Sequence, residues 1–170
     1  MVRFTLSLAA LLLPSLAHAD LAIRFVEGAP KDRFVIVNES ACAVGPSTLT
    51  IDLSASTAGL IFDVTSQGAG VEVFQPLELV AGAELVRTIS DVKDGDAVVS
   101  LELDPLAPRA QVAFTVDVDD TAPVSNLGQI RVSGGEIAGA TARLRSESGP
   151  VQAIFSDNAD LSLPLAPCLS

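Results

Sequence analysis

The sequence predicts an all-β fold, an antiparallel two-sheet sandwich that is immunoglobulin-like in its general architecture. Apolar residues recur with a period of two, which is the period of a strand with one buried face. Turn-forming Gly, Pro and Asp residues separate these short segments at regular intervals, which favours a sandwich over a βαβ fold. The chain has no Trp and lacks the cysteine spacing of true immunoglobulin domains, so only the general architecture is predicted.

Three segments carry the strand pattern most clearly. Thr48–Leu53 alternates polar and apolar residues throughout, Gln111–Val118 does so if alanine counts as outward-facing, and Arg33–Asn38 is shorter and more apolar. A short helix is the alternative for Ala81–Ile89, but its Val and Ile content favours a strand. Further predicted strands, each bounded by turn formers, are Ala22–Val26, Leu60–Val64, Val71–Phe74, Leu85–Ile89, Ala97–Leu103, Gly128–Val132, Ala140–Leu144, Val151–Phe155 and Leu161–Leu163.

Residues 1–19 have the three parts of a signal peptide. Arg3 gives a positive start, Leu6–Leu13 is an apolar run too short to span a bilayer, and Ala17–Ala19 is a small-x-small cleavage site. We expect a secreted or periplasmic mature chain that starts at Asp20 and forms one domain over residues 20–170. An uncleaved anchor is the alternative. No later apolar run approaches the roughly 18 residues of a spanning helix, so no membrane insertion is expected after cleavage.

The mature chain is strongly acidic and apolar enough to fold. The formal net charge of −11 becomes −12 when the leader, with Arg3, is removed. This charge repels phosphate backbones, so nucleic acid is not an expected partner, whereas divalent cations are attracted. The hydrophobic content of 49% argues against intrinsic disorder.

Two cysteines remain after cleavage, Cys42 and Cys168. Export favours their oxidation, and an intramolecular bridge would close nearly the whole domain. On the chain-entropy model, so long a loop contributes about 4–5 kcal/mol to stability. Two free thiols, or pairing between chains, are the alternatives. Neither cysteine lies in a zinc-type spacing, so a zinc site is not expected.

The residue types that are missing point away from catalysis. His18 and Met1 lie in the leader, so the mature chain has no histidine, methionine, tyrosine or tryptophan. Most of the phenylalanines fall at inward positions of the predicted strands, where they pack rather than recognise a ligand. What remains is a dense acidic segment, Val116–Thr121.

Asp117–Thr121 matches D-x-D-x-T, which resembles the nucleophile motif of haloacid-dehalogenase-type phosphatases. In that family the motif opens a parallel α/β fold, whereas here it lies two-thirds along the chain and precedes β-like sequence. The later lysine of those enzymes is also missing, because Lys31 and Lys93 both precede the motif. The context therefore disfavours a phosphatase.

The same segment fits a calcium site, because Ca²⁺ takes about six to eight oxygen ligands and carboxylates at a strand end supply several. Strand alternation places Asp117 and Asp119 on one face. A second acidic loop, Asp91–Asp96, and Asp63 could approach them at one end of the sandwich. Neither loop has the helix-loop-helix calcium pattern, and solvated acidic turns are the equally open alternative. The candidate metal ligands are Asp117, Asp119, Asp120, Asp94 and Asp96.

Two further hypotheses rest on single features. A secreted hydrolase that uses only carboxylates would place Asp117 and Asp119 at its centre, although no D-T-G or D-S-G motif of aspartic proteases is present. Asn38 begins an N-x-S glycosylation sequon, whose use depends on a eukaryotic secretory route.

The segments Ile23–Phe34, Gly59–Asp63, Val71–Pro76 and Phe114–Thr121 are similar to bacterial exported proteins named after the sponge aggregation factor core protein. The similarity covers nearly the whole mature chain and places both cysteines at matching positions. In sponges that protein belongs to a proteoglycan-like assembly that supports calcium-dependent cell adhesion. The resemblance implies a non-enzymatic adhesion, aggregation or extracellular matrix module with calcium as cofactor. Its implied partners are an extracellular protein or glycan, or a second copy, and it assigns no catalytic residue.

Overall fold

The computed structural model describes residues 20–70, 74–122 and 131–167, and within them the predicted two-sheet antiparallel sandwich is confirmed. The first sheet has the strand order β12 (Asp160–Pro164), β1 (Asp20–Val26), β2 (Asp32–Asn38), β8 (Gln111–Val116) and β5 (Glu78–Ala81). The second sheet has the order β11 (Gly149–Ile154), β10 (Thr141–Ser146), β3 (Ser47–Asp52), β7 (Val98–Leu103) and β6 (Val86–Ile89). A two-stranded sheet pairs β4 (Ile61–Phe62) with β9 (Val118–Asp119).

The core lies between the two main sheets, where the inward residues of their strands meet. Phe34 is fully buried at its centre, with ring centroids 5.1 Å from Phe25, 5.0 Å from Phe114 and 6.4 Å from Phe155. Burying each such ring contributes about 1.5–3 kcal/mol. The expectation that the phenylalanines pack in the core is therefore met at these positions.

The chain departs from the predicted strands where backbone geometry overrides the apolar pattern. The predicted strand over 111–118 is interrupted at Asp117, after which the chain leaves β8 and pairs with β4. A 3₁₀ helix at Ala83–Leu85 precedes β6, so the assignment of Ala81–Ile89 entirely to a strand is wrong. Gly82, in the left-handed region at φ 64°, allows that turn, because a Cβ there would lie 2.2 Å from the Gln111 carbonyl oxygen.

A short helix, α1 (Gly134–Ile137), precedes β10. The Glu136 carboxylate accepts a hydrogen bond from the Ser133 amide at 2.6 Å, the reciprocal half of a capping box. None of the helices among the described residues is long and apolar enough to cross a membrane.

Several expectations fall on residues outside the described ranges, namely the leader at 1–19, the strand residues 71–73 and 128–130, and Cys168. Cys42 itself lines a hollow of about 390 Å³ that is also lined by Pro164, Leu165 and Ala166. The C-terminal segment therefore runs beside Cys42, as an intramolecular bridge requires, and the bridge stays a prediction.

Candidate metal centre

The register of the small sheet brings three aspartates together. Phe62 pairs with Val118, and the ladder continues for one residue because the Asp63 amide donates to the Asp117 carbonyl oxygen at 3.2 Å. Phe62 and Val118 are fully buried in the core. Since side chains alternate along a strand, Asp63, Asp117 and Asp119 project from the opposite face. We call these three side chains the carboxylate cluster.

The carboxylate cluster has the dimensions of a cation site. One oxygen from each side chain lies within 4.8 Å of the other two, and Asp63, Asp117 and Asp119 are only 2%, 3% and 1% exposed. Oxygen ligands on opposite sides of a Ca²⁺ ion are about 5 Å apart, given metal–oxygen distances of about 2.3–2.6 Å. The cluster is therefore compatible with one calcium ion held by an oxygen from each aspartate.

Asp117 lies in an environment that disfavours a charged carboxylate when no cation is bound. Burial, together with the charges of Asp119 and Asp63, raises the pKa of Asp117 to about 7. Its Oδ2 is buried and has no hydrogen-bond partner within the described residues. A buried, unsatisfied carboxylate oxygen destabilises a fold unless a proton or a cation compensates it.

Asp32 supports the cluster and was not among the candidate ligands. Its Oδ1 accepts a hydrogen bond from the Gly28 amide at 3.1 Å, and its Oδ2 accepts one from the Val118 amide at 3.2 Å. The second bond fixes the residue between Asp117 and Asp119. Burial, with a smaller contribution from the charge of Asp117, raises the pKa of Asp32 to about 8. In the sequence, an aspartate after a Gly-Ala-Pro turn gives no sign of this burial.

The second acidic loop does not contribute to the cluster. Asp94 Oδ1 accepts hydrogen bonds from the amides of Val64 and Thr65, both at 2.8 Å, and its Oδ2 accepts one from the Thr65 hydroxyl. Asp96 Oδ2 accepts a bond from the Lys93 amide at 2.8 Å, which closes its own turn. The prediction grouped these two carboxylates with the ligands, but the structure uses them to hold loops.

Asp120 also lies apart from the group of three. Its Oδ1 accepts a hydrogen bond from the Ala122 amide at 3.2 Å, while its buried Oδ2 has no hydrogen-bond partner in the part of the chain that the structure describes. Of the five candidate ligands, the structure thus brings two, Asp117 and Asp119, into one cluster. Asp63, which the sequence placed only within reach of them, is the third member.

One wall of the site is the loop of residues 65–70. This 65–70 loop and Asp63 line a hollow of about 300 Å³. Gly70 has φ +138°, and a Cβ at that position would lie 2.3 Å from both Cγ and Oδ2 of Asp63. Glycine is therefore required there, because the loop backbone packs directly against the carboxylate.

The glycosylation sequon is not available in the folded domain. Asn38 is fully buried, and its Nδ2 donates hydrogen bonds to the carbonyl oxygens of Cys42 at 2.7 Å, Leu106 at 2.9 Å and Ala107 at 3.1 Å. The Asn38 side chain is thus a structural tie at one end of β2, with no exposed amide to modify.

Comparisons with protein-family models, curated proteins and solved structures gave no match. The similarity to aggregation-factor core proteins therefore remains an expectation that rests on the sequence segments described above.

Proposed function

We propose that this chain is a secreted, non-enzymatic β-sandwich module whose carboxylate cluster binds one calcium ion. The observation that carries the proposal is Asp117 Oδ2, a buried carboxylate oxygen without a hydrogen-bond partner in the described residues, in a group of three carboxylates. A divalent cation would compensate the charges and give that oxygen a ligand bond.

The chemistry of the donors favours calcium among the common metals. All three side chains offer oxygen, which hard cations prefer, whereas zinc sites are built mainly from nitrogen and sulfur ligands. The ion would be structural, because it would join strand β4 to the segment that links β8 and β9. The main chain of Gln75 already bonds to both of these segments. Its amide donates to the Asp63 carbonyl oxygen at 3.2 Å, and its carbonyl oxygen accepts from the Asp117 amide at 3.4 Å.

The wider role that we propose is adhesion, aggregation or a place in an extracellular matrix. The predicted signal peptide, the acidic charge and the resemblance to aggregation-factor core proteins support it. The partner would be an extracellular protein or glycan, or a second copy of this chain. An ion that orders the loops at one end of the sandwich would make such an interaction calcium-dependent.

A carboxylate-dependent hydrolase is the second candidate, and one observation favours it. A carboxyl group with a pKa near 7, as burial and neighbouring charges give Asp117, is suited to proton transfer at neutral pH. A substrate would have to reach Asp117 and Asp119, which are almost fully buried. Asp63 is the cluster member that lines the adjoining hollow. Because the carboxylates are so deeply buried, a small ion can reach them more easily than a substrate can.

Thermal unfolding of the metal-free mature protein tests the proposal. Calcium should raise the melting temperature well above the effect of magnesium at equal concentration, since a ligand at a hundredfold excess over its Kd stabilises by about 2.7 kcal/mol. Asp117→Asn should remove the response. Asp157→Asn, which makes the same charge change at an exposed site, should keep it. Equal responses to calcium and magnesium, or a normal calcium response in Asp117→Asn, would contradict the proposal.

A further inference from the structure

The carboxylate cluster is too small to complete the coordination of a calcium ion. If each aspartate gives one oxygen, the three supply half or fewer of the about six to eight oxygens that Ca²⁺ takes. Asp94, Asp96 and Asp120 lie outside the group. Main-chain carbonyl oxygens and water are common ligands that complete such a calcium site.

The 65–70 loop is the main-chain segment placed to supply them. It lines the same hollow as Asp63, and at Gly70 it contacts the Asp63 carboxylate closely enough to exclude any side chain. At Gly68, with φ +110°, the loop packs in the same way on Asp94, where a Cβ would lie 2.7 Å from the Asp94 Cβ. Two glycines thus bring the loop backbone onto two acidic side chains.

Asp94 fixes this loop at the site. Its three hydrogen bonds from Val64 and Thr65 hold the start of the loop directly after Asp63. The Gln67 amide donates to the Thr65 hydroxyl oxygen at 3.2 Å, and the Gln67 carbonyl oxygen lies 3.1 Å from that hydroxyl oxygen. The loop therefore has a defined conformation over the cluster, and Asp94 acts as a positioning residue.

From this arrangement, and resting on the proposed calcium site, we propose that main-chain carbonyl oxygens of the 65–70 loop complete the coordination sphere and make the site selective for calcium over magnesium. Neutral carbonyl ligands on a loop fit the larger and less regular coordination shell of Ca²⁺. Mg²⁺ requires near-ideal octahedral geometry at shorter distances and releases its water reluctantly.

Carbon-13 NMR of uniformly labelled, metal-free protein tests the ligand set directly. On titration with calcium chloride, the carboxylate carbons of Asp63, Asp117 and Asp119 and at least one carbonyl carbon of the 65–70 loop should shift together, with saturation at one equivalent. If the carboxylate carbons shift and no loop carbonyl does, the loop proposal is wrong and the calcium site stands. If the carboxylate carbons do not shift, both proposals are wrong.

A pair of glycine variants tests the role of the loop. Gly70→Ala should weaken calcium binding at least tenfold and bring the calcium and magnesium affinities closer together, because the added methyl group displaces the loop from Asp63. Gly45→Ala is the matched control, since a Cβ there meets no atom within 4 Å. Unchanged affinity in a folded Gly70→Ala protein would contradict the proposal. If this variant does not fold, the wild-type NMR titration decides.

Discussion

Asp63 lies directly across the antiparallel pairing from Asp117, with its amide donating to the Asp117 carbonyl oxygen at 3.2 Å. Like charges in facing positions destabilise a strand pair, and burial increases the cost because both carboxylates are removed from water. Asp119 lies on the same face, so three acidic side chains lie close together beside the two-stranded sheet of β4 and β9. A bound cation is the simplest physical reason for such an arrangement.

The first prediction concerns the metal-free protein. Asp117→Asn should raise its free energy of unfolding by about 1 kcal/mol or more at pH 8, because the change removes one of three mutually repelling buried charges. Urea unfolding in the presence of a chelator measures this. Asp157→Asn, at an exposed position, should change the value by less than about 0.5 kcal/mol. If Asp117→Asn instead lowers the free energy of unfolding, repulsion among the three carboxylates does not destabilise the metal-free protein.

The second prediction concerns pH. The folded-state pKa values of Asp32 and Asp117, about 8 and about 7, lie above the ordinary value of 3.8. Protonation of these groups therefore stabilises the fold, and this contribution is fully present below about pH 4 and is lost as the pH rises through 7 and 8. We expect the metal-free protein to lose stability between pH 6 and pH 9.

Asp32→Asn is an internal control for this pH dependence. In this variant the free energy of unfolding should decrease less as the pH rises towards 8. Calcium should restore stability at the alkaline end, where the carboxylates are ionised and able to bind it. Urea unfolding at each pH, with chelator or with calcium, provides the comparison. A metal-free protein that becomes more stable from pH 6 to pH 9 would contradict the raised pKa values of Asp32 and Asp117.

The third prediction concerns Asn38. Asn38→Ala should lower the free energy of unfolding by at least about 2 kcal/mol, because the carbonyl oxygens of Cys42, Leu106 and Ala107 each lose a donor. Asn158→Ala, at an exposed position, is the control.

The burial of Asn38 also leads to an expectation about glycosylation. Protein expressed through a eukaryotic secretory route should carry no glycan at Asn38. An intact mass that includes a glycan would contradict this expectation.

The fourth prediction concerns the cysteines. The mature protein should start at Asp20 and carry a Cys42–Cys168 bridge within one chain. Intact mass should lie two hydrogens below the dithiol value, and alkylation should label the protein only after reduction. Reactive thiols in the native protein, or a covalent dimer, would contradict the prediction.

The fold could be predicted because its long strands carry an unambiguous pattern. In β3, alternation of polar residues with Leu49 and Ile51 defines a strand and its buried face without any knowledge of its neighbours. The 65–70 loop could be predicted only as a turn, because a Gly-Ala-Gly sequence indicates flexibility of the backbone and not what the backbone approaches.

The composition of the site could be predicted only in part. Asp117 and Asp119 share a strand face by alternation, which the sequence shows. The third member, Asp63, depends on the register of β4, a strand of two residues that is too short to carry a pattern. Asp94 looks like a ligand in the sequence, but its oxygens accept hydrogen bonds from loop amides, and only the three-dimensional structure distinguishes these roles.

Calorimetric titration of the oxidised, metal-free mature protein with calcium chloride tests the central claim most directly. We expect one calcium ion per chain, weaker or undetectable binding of magnesium, and no calcium binding by Asp117→Asn under the same conditions. Absence of binding by the wild-type protein at millimolar calcium, or the same affinity in Asp117→Asn, would contradict a calcium site at Asp63, Asp117 and Asp119.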